Sequence, residues 1–113
     1  MSDTIFAKII RREIPADIVY EDEQALAFRD INPAAPTHVL VIPKEPISGL
    51  GAATDAQSGL LGHLMWVAAE VARRDGVGDA FRVVTNHGAG AGQSVFHLHL
   101  HVLGGRALSW PPG

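Results

Sequence analysis

Three of the chain's six histidines fall within five residues, His97-Leu98-His99-Leu100-His101. In an extended strand successive side chains point to opposite faces, so the three imidazoles share one face, and Leu98, Leu100 and Val102 share the other. The leucine face is ordinary core material. A row of imidazoles is not, because each ring nitrogen needs a partner once buried.

Two chemistries suit such a row. Histidines two apart on a strand can share a zinc ion. Here His97 and His101 would stand ~13 Å apart along a straight strand, too far for one tetrahedral ion to take all three, and no spacing singles out a fourth ligand. Nucleophilic catalysis fits better, and the expectation is no metal and no cofactor. An imidazole nitrogen attacks phosphorus well and leaves well, which splits one phosphoryl or nucleotidyl transfer into two easier steps. His99 is the central residue, flanked by His97 and His101 ~6.6 Å away on either side. A protonated neighbour would offset charge building on the phosphoryl oxygens.

The loop Gly88-Ala89-Gly90-Ala91-Gly92 precedes this segment, with Ser94 beside it. Its glycines allow backbone N–H groups to approach an anion. It leads into a strand, so it is neither a P-loop nor a dinucleotide fingerprint, and a flexible connection explains it equally well. His38 opens an apolar strand, either as a satisfied core histidine or as a fourth member of the site. Asp30 and Asn86, at strand ends, suit turn chemistry or ligand contact. His63 reads as structural or exposed, and His87 as solvated. Trp110, before two prolines, is a packed tail anchor or an arm toward a partner subunit.

The whole chain sets limits on the function. At 113 residues, 47% hydrophobic and 19% charged, it has the profile of a soluble globular protein forming a single domain over residues 1–113. A formal charge of −3 argues against a nucleic-acid binder. The absence of cysteine excludes disulfides and thiol nucleophiles. The N-terminus lacks the pattern of a signal peptide, and no apolar run reaches the ~20 residues of a membrane span, so a cytoplasmic protein is expected.

The elements that must hold the site follow from patterning. Asp3 or Thr4 caps a short helix carrying Ile5, Phe6, Ile9 and Ile10, which Pro15 closes. Strands are expected at Ile18–Tyr20, Ala25–Phe28 and His38–Ile42, with Pro43 ending the third. Thr54 and Gln57 form a capping box ahead of one long helix, whose apolar face is Leu60, Leu64, Val67, Ala68 and Val71, and Gly76 or Gly78 stops it. Further strands are expected at Phe81–Thr85 and from about Val95 to Leu103. The short links favour a mainly antiparallel five-stranded α+β fold with one long and one short helix.

The segment from Gly92 to Arg106, GQSVFHLHLHVLGGR, resembles the signature of the histidine-triad (HIT) family. The opening Asp3-Thr4-Ile5-Phe6, the stretch from Pro36 to Lys44 and the ending Ser109-Trp110-Pro111-Pro112-Gly113 make it similar to the nucleotide-binding (Hint) branch, the purine nucleoside phosphoramidases. That resemblance implies a homodimer whose two sheets join into one. It also implies hydrolysis of the P–N bond of nucleoside 5′-phosphoramidates through a covalent nucleotidyl-histidine, here on His99. By the same resemblance His97, His101 and His38 surround the phosphate or orient the nucleophile. Asp30, with Ile31 beside it, matches the group that binds the ribose. Phe6, Ile9, Ile14 and Phe28 match the apolar slot for a purine, and Asn86, Gly92, Gln93 and Ser94 match groups around the phosphate. Trp110 matches a tail residue that approaches the partner's site. Other members of the family hydrolyse dinucleoside polyphosphates or transfer nucleotides, and a nucleotide-binding interaction protein remains the reading from a different class.

Overall fold

A computed structural model describes residues 3–113. Helix α1 (Ile5–Ile10) starts at Thr4, whose side-chain oxygen accepts the Ala7 N–H at 3.1 Å. It ends at Ile10, well before Pro15. The Glu13 N–H reaches back to the Lys8 carbonyl and the Arg12 N–H to that of Ile9, with Arg12 at φ 63°. These two bonds satisfy orphan carbonyls and turn the chain out of the helix, so the proline is not what stops it.

Five strands follow: β1 (Ile18–Glu21), β2 (Ala25–Arg29), β3 (Thr37–Pro43), β4 (Phe81–Val84) and β5 (Leu100–Gly104). All neighbouring pairs are antiparallel, in the order β1-β2-β3-β5-β4. The acidic turn between β1 and β2 is closed by Asp22, whose carboxylate accepts the Gln24 and Ala25 N–H groups. Between β3 and β4 the chain crosses over through helix α2 (Ser58–Arg74). The Thr54–Gln57 capping box is present, but it opens a 3₁₀ turn at Asp55–Gln57 that runs into the helix. Gly76, at φ 80°, ends α2 by the same pair of backbone bonds that ends α1, from Val77 to Ala72 and from Gly76 to Arg73. Among the described residues no helix is long and apolar enough to cross a membrane.

Strand alternation sorts the core into two layers. Ala25 and Ala27 of β2, Val39 and Val41 of β3, and Leu100 and Val102 of β5 face α2, where Leu64, Val67, Ala68, Val71 and Ala72 cover them. The alanines on both surfaces let the helix lie close to the sheet. Leu26, Phe28, Leu40 and Ile42 face the other way, where Phe6 and Ile9 of α1 close a smaller cluster. A six-residue helix cannot cover that whole second face, and the histidines lie on it beside the helix, with His38, His97 and His99 buried.

The end of α2 is tied to the start of β3. Asp75 accepts from Arg29 Nη2 at 2.7 Å and from the buried Thr37 hydroxyl at 2.5 Å. These bonds hold its carboxyl below the usual carboxylate range, the Arg29 bond being the larger cause. Replacing Asp75 with alanine strands the Thr37 hydroxyl beside His38, and it is expected to lower unfolding free energy by about 2 kcal/mol in urea melts.

Candidate active site

The histidine segment is not a strand throughout. The β5 ladder begins at Leu100, and residues 95–99 approach it as irregular chain. No ladder forms before Leu100 because β3 ends at Pro43, which has no N–H to offer. Single ties hold the approach instead. The Leu98 N–H donates to the Ile47 carbonyl at 2.7 Å, and His97 Nε2 bonds the Pro43 carbonyl at 2.7 Å. Leu98 sits in the α2-facing core, so alternation survives without the ladder and all three imidazoles lie on the other face.

Hydrogen-bond partners dictate the tautomers. His99 Nδ1 lies 2.7 Å from the His97 carbonyl, which can only accept, so the ring carries its proton there. That leaves the lone pair on Nε2. His97 likewise carries its proton on Nε2, toward Pro43. His38 Nδ1 accepts the Ala34 N–H at 2.9 Å, so neutral His38 is protonated at Nε2. His38 Nε2 stands 2.9 Å from His101 Nδ1, which therefore accepts and leaves His101 with a free Nε2–H. The site thus pairs an unprotonated nitrogen on His99 with a donor on His101, their ring centroids 5.1 Å apart. The β3–β5 register sets this up: His101 is opposite Leu40 and His38 opposite Leu103, so the two histidines are diagonal neighbours on one face.

A cleft of about 310 Å³ runs from these rings. Phe6, Ile9, Ile14, Phe28 and Leu40 form its apolar wall, and Asp30, Ile31, Ser94, His99 and His101 also line it. Phe6 stands edge-on to His99 at 5.0 Å between centroids and to Phe28 at 5.4 Å. Asp30 turns a carboxylate oxygen to within 3.4 Å of His38 Nε2 while its other oxygen accepts the Asn32 N–H. Its contact therefore serves the turn and the site together.

The other expected site residues lie elsewhere. His97 is buried behind the cleft rather than on its wall. Asn86 and Gly92 sit side by side at the glycine loop, outside the cleft lining. Gln93 is buried, with its amide spent on the Gly88 N–H and on the Ser48 and Val95 carbonyls, so it braces the loop. The N–H groups of Ala91, Gly92 and Gln93 also donate within the loop, which leaves few free for an anion. Trp110 is 81% exposed and does not touch the cleft. His87, expected in solvent, accepts the Gly51 N–H at 2.9 Å and so ties two loops together. His63 bonds the Asp22 carboxylate at 2.6 Å on the α2 side of the sheet.

Some cleft residues escape the sequence reading: Ile5, Pro15, Ala16, Leu40 and Val95 line it with no pattern to mark them. Pro15 and Ala16 reach it only because the chain doubles back after Arg12. A helix running on to Pro15 would carry them away.

Burial, reinforced by His99 and His38, pushes the His101 pKa down from 6.5 to about 4. Burial also lowers that of His97, against the favourable Pro43 bond. Both groups bind protons more readily in the unfolded chain. Their contribution to stability is therefore full above pH ~6.5 and is lost as pH falls toward about 4. Urea midpoints should drop across that window, with a shallower drop in His101→Gln. A native midpoint flat across it contradicts the assignment.

Asp30, His38 and His101 bring three potential metal-ligand atoms within 4.8 Å of one another. Two Zn–N bonds of ~2.1 Å at a tetrahedral angle hold their nitrogens ~3.4 Å apart. An ion would thus have to replace the 2.9 Å hydrogen bond between His38 and His101, while His38 Nδ1 stayed on the Ala34 N–H. The donor types suit zinc, but the arrangement is already complete as a hydrogen-bonded chain.

Comparison with known proteins finds relatives along nearly the whole chain. An uncharacterized HIT-like protein of Synechocystis is 66% identical over 111 residues, covering 98% of this chain and 97% of that one. A 14 kDa zinc-binding protein of Zea mays is 54% identical, covering 99% and 89%. Among solved structures, a HIT family hydrolase from Legionella pneumophila superposes with a TM-score of 0.95 at 46% identity, covering 98% of this chain and all of that one. A hypothetical histidine triad nucleotide-binding protein from Sulfolobus tokodaii superposes at 0.76 with 34% identity, covering 88% and 66%. The model of the HIT domain matches residues 11–108, and the chain belongs to the HIT domain family.

Proposed function

We propose that the protein hydrolyses the P–N bond of purine nucleoside 5′-phosphoramidates through a covalent intermediate on His99. One observation carries the reading: the His97 carbonyl holds the His99 proton on Nδ1, which leaves Nε2 as a free lone pair beside an apolar slot. The names of the Legionella and Sulfolobus relatives, a hydrolase and a nucleotide-binding protein, support its general class.

The purine would lie between Phe6, Ile9, Ile14 and Phe28, with the ribose hydroxyls toward Asp30 and Ile31. His99 Nε2 attacks the α-phosphorus, the P–N bond breaks, and its electron pair leaves with the amine. The amine needs a proton. The anionic phosphoryl group raises the proton affinity of His101 beside it, and that ring, or Ser94 as a relay, delivers the proton. Water then attacks the phosphorus and gives its proton to the group that protonated the amine, the P–Nε2 bond breaks with its electron pair returning to His99, and the nucleoside monophosphate is released. His97, on this reading, acts through its carbonyl and its anchor on Pro43.

The proposal includes a homodimer in which Trp110 meets the partner's site. The outward exposure of Met65, Trp66 and Trp110 supports it, and sedimentation tests it.

Protein quenched during turnover of AMP-NH₂ should carry one added nucleotide on His99 by mass spectrometry. Full-speed hydrolysis with no adduct overturns the reading. Faster turnover of diadenosine polyphosphates than of AMP-NH₂ would favour that other branch of the family.

The Asp30–His38–His101 cluster and the name of the maize relative favour a second reading as a zinc-binding protein. Stoichiometric zinc in protein purified without added metal would support it.

A further inference from the structure

We propose that Arg106 is a positioning residue of the histidine site, acting through Ala34 to fix the tautomers of His38 and His101. The guanidinium Nε of Arg106 donates to the Ala34 carbonyl at 2.9 Å, and Nη1 donates to the Ala107 carbonyl at 3.0 Å. The N–H of the same alanine donates to His38 Nδ1 at 2.9 Å. One residue is therefore held by the arginine through its carbonyl and holds His38 through its amide.

Nothing in the two imidazoles themselves selects their tautomers. If His38 carried its proton on Nδ1, its Nε2 lone pair would face the lone pair of His101 Nδ1 across 2.9 Å. His101 would relieve that clash by moving its own proton to Nδ1, and the cleft would lose its Nε2–H donor. A backbone N–H cannot make such a change. The Ala34 N–H on Nδ1, seconded by the Asp30 carboxylate 3.4 Å from Nε2, is thus the fixed reference for the pair, and the Ala34 bond is the shorter of the two.

Ala34 is itself exposed, located by its buried neighbour Ala35 and by the two hydrogen bonds just described. Residues 31–36 form no helix or strand, and Pro33 and Pro36 have no N–H to bond. The segment after β5 packs directly on this loop. At Gly105, φ 89°, a β-carbon would come within 2.9 Å of Pro36 Cβ, so only glycine allows the approach that brings Arg106 over Ala34.

The inference takes from the proposed function only that His101 Nε2 faces the reacting group. Its test begins without substrate. In ¹⁵N imidazole spectra at neutral pH, native His38 and His101 should each show a protonated Nε2 and an unprotonated Nδ1. In Arg106→Gln both rings should move toward averaged tautomers, while His99, held by the His97 carbonyl, keeps its Nδ1 proton. With AMP-NH₂ the variant's kcat should fall roughly two- to tenfold at unchanged KM, as a competing tautomer takes half to nine-tenths of the population. Native positions for His38 and His101 in the variant overturn the proposal, and so does an equal shift of His38, His97, His99 and His101. If native protein fails to cleave AMP-NH₂, the function reading falls, and the spectra alone still decide the role of Arg106.

Discussion

Replacing His99 with alanine is expected to lower kcat for AMP-NH₂ by at least about 10⁴-fold, with AMP affinity close to native. The asymmetry follows from where the ring sits. Its Nε2 would supply the bond to phosphorus, whereas the apolar wall and Asp30, which would hold the nucleoside, stand on other elements. The ring is buried, so its removal leaves a small space beside Phe6 but no unpaired charge. Rapid-quench kinetics with calorimetric AMP titration would check both halves. Turnover within tenfold of native would remove His99 from the chemistry.

Phe6→Ala should have the largest effect on stability, a loss of about 3 kcal/mol. Phe6 is 7% exposed and packs edge-on against both Phe28 and His99. It belongs to the smaller core layer, which has few other residues to fill the gap. The same change removes one wall of the slot, so KM should rise along with the loss of stability. Phe6→Leu separates the effects: thermal stability should largely return, while KM stays raised because the aromatic edge is missing. A Phe6→Ala protein with native melting temperature and native KM would contradict both.

Much of this arrangement is legible in the residues because it depends on local period. Alternation through Ala25–Phe28, Val39–Ile42 and Leu98–Val102 names both core layers, and the i, i+3, i+4 spacing from Leu60 to Val71 names the helix. His99, His101 and Asp30 come to one cleft, whereas His97 shares their face but lies behind it. What the sequence does not disclose is set by pairing over distance. No local signal says that His38 lies diagonal to His101, because that rests on strand register. Nor does any signal say that His87 reaches Gly51, that Arg29 meets Asp75 across 46 positions, or that Arg106 holds Ala34. The strand expected from Val95 begins at Leu100 for the same reason: alternation describes side chains, and a ladder needs a partner backbone opposite.

The buried Gln93 amide has a thermodynamic consequence for recognition. A run of glycines would ordinarily wander in the unliganded chain and surrender that freedom only when an anion arrived. Here one side chain ties the run to Ser48 and Val95 beforehand, so Ser94 and Val95 on the cleft wall would need little further ordering when a nucleotide docked. Gln93→Ala should then weaken nucleotide affinity chiefly through a more adverse entropy, since no contact with the nucleotide itself would be lost.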